Sequence, residues 1–190
     1  MSLRLYASTV EEALDRADAR HWTQRPPRSH RARMKYLLQQ IKGDHQALAA
    51  LLAIPAHNIH DALAGGTLTD TQAADAEREV LRRWQPQVRR RAHRTIVDND
   101  GLMTVSFRAW FGFTAAVGTT DDPRLRFLTT SLCAPYPEQL FTARHRDAPE
   151  AELHRILSEA LAANYFNRRD TPNTLESVSL KQIDYLEFSY

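Results

Sequence analysis

A single cysteine, Cys133, and only six glycines occur among the 190 residues. One thiol has no partner for an intramolecular disulfide and cannot alone build a structural zinc site, so neither cross-link is expected to hold the fold. Cys133 itself reads as a small core residue at the end of an apolar-alternating segment. No run of about 18 uncharged apolar residues exists, and Met1 to Val10 lacks the n-region and the continuous apolar stretch of a signal peptide. The expectation is therefore a cytoplasmic protein that does not enter a membrane. Catalytic motifs are missing too: there is no Walker phosphate loop, no Gly-x-Ser-x-Gly elbow and no His-Glu-x-x-His pair, and the scattered acids do not follow a nuclease metal motif. His57 and His60 stand three apart, but no third ligand is spaced to join them. The chain is accordingly expected not to be an enzyme and to carry no intrinsic cofactor.

What is present is charge, and it is segregated. The net charge of +2 conceals a basic stretch from Arg20 to Arg94, with 14 Lys/Arg against 6 Asp/Glu, and a mildly acidic one from Thr95 to Tyr190, with 9 against 13. A basic half joined to an acidic half points to a polyanion-binding module beside one that does not bind phosphate chains broadly.

Periodicity divides the chain in the same way. Thr9 to Arg20 reads as a short amphipathic helix capped by Ser8 or Thr9, and Arg25-Pro26-Pro27-Arg28 as an extended basic linker. Helices are predicted over Arg31 to Lys42, Asp44 to Leu52 and Pro55 to Gly65. A long charged helix from Thr69 to about Arg94 is predicted to kink at Pro86, which lacks the N–H donor. After Asp98-Asn99-Asp100-Gly101 the period changes to two, with Met103, Val105, Phe107, Ala109 and Phe111 forming the apolar side of a strand. Gly118 to Pro123 reads as a loop, Arg124 to Cys133 as a second strand, Tyr136 to Arg144 and Pro149 to Arg168 as helices, and Ser177 to Tyr190 as β-rich. The expected architecture is α+β: an all-helical helix-turn-helix domain over 1–94, followed by a smaller α+β domain with an antiparallel sheet over 95–190.

The helix-turn-helix reading rests on Leu48 to Leu63. Two short helices crossing closely need the small Ala49, apolar Leu52, Ile54 and Ile59 between them, and a small residue, here Ala53, at the turn. Pro55, Ala56, His57, Asn58 and His60 then open the recognition helix, with Ala56, His57, His60 and Asp61 facing outward. Arg82, Arg83, Arg89, Arg90, Arg91 and Arg94 supply a phosphate-neutralising cluster. Thr114, read alone, is an ordinary strand-end residue, next to Thr119 and Thr120 in a run of small residues.

Taken together, Glu77 to Arg89, Phe111-Gly112-Phe113-Thr114-Ala115 with Gly118-Thr119-Thr120-Asp121, and Asp184-Tyr185-Leu186-Glu187-Phe188 resemble, in this order, the telomere-terminal protein family of Streptomyces linear chromosomes and plasmids. The resemblance runs from about Arg25 to the C-terminus. It implies a protein that binds telomeric DNA (a single-stranded or folded 3′ overhang) and primes replication from a threonine hydroxyl, remaining joined to the 5′ end. The family's acceptor follows a Phe-Gly-aromatic context, which matches Thr114, although Phe113 stands where a tyrosine is common. The resemblance further implies a DNA polymerase and a telomere-associated recruiting protein as partners, Mg2+ and dCTP in the polymerase's priming reaction, and a nucleoid location at replicon ends. Two rival readings of the residues are a helix-turn-helix transcriptional regulator with a C-terminal effector or dimerisation domain, and an enzyme that nucleotidylates itself.

Overall fold

The computed structural model describes residues 6–115, 119–167 and 175–190, and within these the side chains outside 113–123 and 165–177. Helices come first and a three-stranded antiparallel sheet later, an α+β chain that divides into two compact units, residues 22–86 and residues 1–21 with 87–190. The boundary thus falls at Pro86 rather than at residue 94, and the unit containing the sheet, expected to be the smaller, is the larger. The reason is chemical: the first helix and the segment after Pro86 bury their polar groups with the sheet unit, as described below.

Residues 22–86 form four helices, α2 (His30–Gln40), α3 (His45–Leu52), α4 (Ala56–Ala64) and α5 (Asp70–Arg83). Each of α2, α3 and α5 starts on a side chain that satisfies exposed amide donors. The Ser29 hydroxyl accepts from Ala32 N at 3.2 Å, and one Asp44 carboxylate oxygen accepts from Gln46 N and Ala47 N at 2.9 Å each. Thr69 and Gln72 form a reciprocal capping box. Met34, Leu37, Leu48, Leu52, Ile54, Ile59, Ala76 and Val80 fill the shared core. The long helix predicted across Pro86 is two: α5 ends at Arg83, Trp84 is extended and Gln85 has φ +45°, and α6 restarts at Pro86 as its first residue. Proline needs no N–H partner there, so the break falls before it.

The other unit comprises α1 (Val10–Asp18) followed by a 3-10 turn (Ala19–His21), α6 (Pro86–Asp98), β1 (Met103–Ala115), β2 (Thr119–Leu132), α7 (Tyr136–His145), α8 (Glu150–Asn167) and β3 (Leu175–Ser189). Of the two residues that could open α1, Thr9 is the cap. The strand order is β2-β1-β3, with β1 in the centre. Alternation along β1 sends Met103, Val105, Phe107, Ala109 and Phe111 into the core, where they meet Leu14, Leu140, Leu153, Leu157 and Phe188. Helices α1 and α8 lie against the sheet, and α7 packs on α8. Cys133, read as a core residue, is exposed. Among the described residues no single helix is long and apolar enough to cross a membrane.

Ions, as well as apolar groups, lie in this core. On α1, Asp15 receives a bidentate pair from Arg144 of α7 at 2.9 Å, while Asp18 accepts from the His93 ring of α6 and the Tyr190 hydroxyl at 2.6 Å each and faces Arg89 Nε at 2.8 Å. The other His93 ring nitrogen lies 3.2 Å from His145, and the His93 ring is stacked on Phe141. Burial raises the Asp15 carboxyl above its ordinary range, Arg144 offsetting only part of this. Burial acts likewise on Asp18, but the His93 bond, the neighbouring cations and Tyr190 outweigh it and hold Asp18 below its ordinary value. Desolvation, then the charges of His93 and Arg89, lower His145.

Two outcomes follow from this packing. Ile59→Ala removes a fully buried side chain of the helical unit and should cost about 2–5 kcal/mol in denaturant unfolding. Asp18→Asn strands Arg89 and His93 and should cost about 3–5 kcal/mol, read as a lowered melting temperature. The pH dependence has one sign for His145 and Asp18, both held low, and the opposite sign for Asp15, held high. A folded state that disfavours protonated His145 loses stability as the pH falls below about 6.5, and the Asp18 contribution, present above about 3.8, is lost as the pH falls through its lowered folded value. Denaturation midpoints should decline as the pH falls through about 6.5, where His145 titrates in the unfolded chain, and the acid loss carried by Asp18 should be absent in Asp18→Asn.

Candidate nucleic-acid interface

Helices α3 and α4 are joined by three residues, Ala53, Ile54 and Pro55, across which the helix direction turns by 106°. That is the crossing of a helix-turn-helix, and local chemistry produces it. Ala53 adopts the left-handed conformation at φ +51°, a position where glycine is commoner, and two amides close the end of α3: Ala53 N donates to Ala50 O at 3.3 Å and Ile54 N to Ala49 O at 3.1 Å. Ile54 is thereby turned into the core beside Leu52 and Ile59, while Ala49 is half-buried against them. The strain of a non-glycine residue at Ala53 is offset by burying Ile54.

The exposed side of α4 carries Ala56, His57, His60 and Asp61, with Pro55 exposed just before it and Asn58 half-buried. His60 is less independent than its exposure suggests, because its ring stacks on His45 of α3, centroids 4.7 Å apart and planes 7° from parallel. Of the predicted cluster, Arg82 and Arg83 lie on α5, half-buried, and both pair with Glu79. Trp84 is held in the same unit, its Nε1 donating to Gln24 O at 3.1 Å and its ring set edge-on to Tyr36.

Beyond Pro86 the cluster divides by burial. Arg90, Arg91 and Arg94 are exposed on α6, but Arg89 is only 6% exposed and faces Asp18 and Asp15. Arg89 is therefore corrected from a phosphate contact to a structural cation. A basic triplet in sequence puts successive side chains about 100° apart round a helix, so one of three neighbours faces inward unless the helix is solvated all round. The partners of Arg89 lie more than 70 residues upstream, and no local signal could have singled it out.

Thr114 lies one residue before the end of the central strand, in keeping with its reading as a strand-end residue. The predicted loop from Gly118 shrinks because β2 already begins at Thr119, and the Thr114 backbone pairs with Thr120 on β2 and with Ser177 on β3. The three threonines are thus neighbours across the β1–β2 ladder, Thr119 standing opposite Ala115. The side chain of Thr114 is outside the described residues. Just before it the ladder is irregular: one residue of β1, Gly112, faces two of β2, Asp122 and Pro123. Proline has no N–H for a ladder and is tolerated at a bulge on an edge strand, which β2 is.

No protein-family model matches the chain, and neither a curated protein nor a solved structure does. The described residues hold no group of three or more His, Cys, Asp or Glu able to bind a metal ion.

The division of the arginines is testable by salt titration of DNA binding. Replacing Arg90, Arg91 and Arg94 together by Ala should leave the fold intact and make the slope of log affinity against log salt shallower by about two to three units, at about 0.7–0.9 per lost phosphate contact. Arg89→Ala should instead lower the melting temperature. An unchanged slope in the triple variant would remove α6 from the interface.

Proposed function

We propose that this chain is a protein primer: it binds the DNA ends of a linear replicon through its helix-turn-helix and offers the Thr114 hydroxyl to a DNA polymerase as acceptor of the first nucleotide. The observation that carries this reading is the place of Thr114. It is the penultimate residue of a central strand, its backbone paired on both sides, next to the three residues that lead into β2. A backbone paired on both sides is held in place, and Ala115, Ala116 and Gly118, small residues in the sequence, offer little bulk to a polymerase cleft.

In the proposed reaction the threonine oxygen attacks the α-phosphorus of dCTP. A phosphate-ester bond forms, the bond between the α- and β-phosphates breaks, and pyrophosphate leaves with the hydroxyl proton passing to solvent. An unactivated hydroxyl does not do this at useful rates, and the polymerase's paired Mg2+ ions supply the activation. The chain therefore needs no catalytic group of its own. Its helix-turn-helix keeps the template end close, raising the local concentration of template at the primer. Cytoplasmic, nucleoid-associated placement at replicon ends, with a telomere-associated recruiting protein, belongs to the same reading.

With polymerase, template and radiolabelled dCTP, wild-type protein should acquire label, Thr114→Ala should acquire none while binding DNA normally, and Thr114→Ser should keep part of the activity. Peptide mapping should place the nucleotide on Thr114. Label on Thr119, Thr120 or a serine, or full labelling of Thr114→Ala, would overturn the assignment, and labelling without any polymerase would make the chain an enzyme.

A further inference from the structure

One histidine, His145, stands at the surface end of a chain of buried hydrogen bonds that protein priming does not use. Asp18 Oδ1 on α1 lies 2.6 Å from His93 Nε2 on α6, and His93 Nδ1 lies 3.2 Å from His145 Nε2. Asp18 and His93 are 1% and 4% exposed, whereas His145, the last residue of α7, is open to solvent. All three belong to one unit. The middle ring is held in its orientation by Phe141, on which it stacks with centroids 3.7 Å apart and planes 8° from parallel.

These bonds fix where the protons stand. Asp18 also accepts from the Tyr190 hydroxyl and faces Arg89, so it is an ionised acceptor and His93 carries a hydrogen on Nε2. The buried Asp15 and Asp18 balance the buried Arg89 and Arg144, so the core is neutral with His93 uncharged and its Nδ1 accepting. The hydrogen between the rings then belongs to His145 Nε2, which leaves the lone pair of the exposed imidazole on Nδ1. An attack by that lone pair requires the loss of the Nε2 proton, and an acceptor backed by Asp18 is already in place. The surroundings of His145 select the electrophile. His145 is held low first by desolvation, then by a proton on His93 and by Arg89 and Arg90 of α6, with Asp18 acting the other way. On α7 itself, Arg144 and Asp147 face each other at 3.6 Å. A positive field that opposes a proton on the ring favours an anion joined to it. We propose that Asp18, His93 and His145 form a proton relay and that His145 Nδ1 is a phosphoryl-acceptor site, served by a small donor of the phosphoramidate class. The Nδ1–P bond forms, the donor's P–N bond breaks, and its protonated nitrogen leaves as ammonia. The Nε2 proton passes to His93 Nδ1, reversing the hydrogen bond between the rings and setting the His93 cation against the new phosphoryl anion.

The test treats the full chain with potassium phosphoramidate and follows labelling by phosphorus NMR and by peptide mapping at alkaline pH, where phosphohistidine survives. His145 should be labelled about ten-fold or more faster than the exposed His57 and His60, and His145→Gln should abolish that fast phase. Arg90→Ala should slow it by about two- to five-fold, while the uncharged acylating reagent diethyl pyrocarbonate should modify His145 equally fast in both proteins. His93→Gln still donates to Asp18 but cannot take the Nε2 proton, and should slow labelling by about 100-fold. It should also move the midpoint of the pH–rate profile upward, toward the ordinary histidine value, which a merely structural role would not do. Nitrogen NMR of the wild-type chain needs no variant to fold, and should show neutral His145 with its hydrogen on Nε2. A hydrogen on Nδ1 instead, labelling spread evenly over the histidines, or an unchanged rate in a folded His93→Gln would each overturn the proposal. So would a His145 that reacts with diethyl pyrocarbonate but takes no phosphoryl group. Neither DNA, polymerase nor nucleotide takes part, so the outcome is independent of labelling at Thr114.

Discussion

Two carboxylates one helical turn apart, Asp15 and Asp18, hold the larger unit together. Between them they engage Arg89 and His93 of α6, Arg144 of α7 and the hydroxyl of Tyr190, joining segments separated by as many as 172 residues. Buried charge is costly unless every partner is present, so this network acts as a condition as much as a contribution. Helix α1 has to dock for the buried Arg89 to be neutralised, and α6 has to enter the core of the same unit.

The same constraint leaves the sheet one-sided. With α1 and α8 against one face, the other face of β1 carries Thr104, Ser106, Arg108 and Trp110, with Phe127 and Tyr185 flanking Arg108 and Glu187 opposite Ser106. Such a surface persists in water because its rings are interleaved with Arg108, Lys181, Ser106 and Thr129, which keep the apolar area broken. The arrangement separates two kinds of surface within one chain: a helical unit with α4 exposed, and a sheet whose central strand carries Thr114 near its end.

Much of this was legible from residue pattern. The helix-turn-helix could be read because its determinants are local: Ala53 and Ile54 at the turn, Leu52 and Ile59 beneath it, Pro55 ahead of α4. β1 was legible because alternation is a property of consecutive residues. Its continuation past Phe111 was less so, since small residues such as Gly112 and Ala115 carry no periodic signal, and the early start of β2 depends on pairing with a strand already in place.

The sequence by itself determined the class of each element, the turn between α3 and α4, and the apolar side of β1, because caps, periodicity and turn residues act over a few positions. Only the tertiary structure decided which arginine of the triplet is buried, where the units divide and which threonines become cross-strand neighbours. Those outcomes depend on partners brought from far along the chain, and the free energy of a buried charge or a shared strand exists only once the partner has arrived.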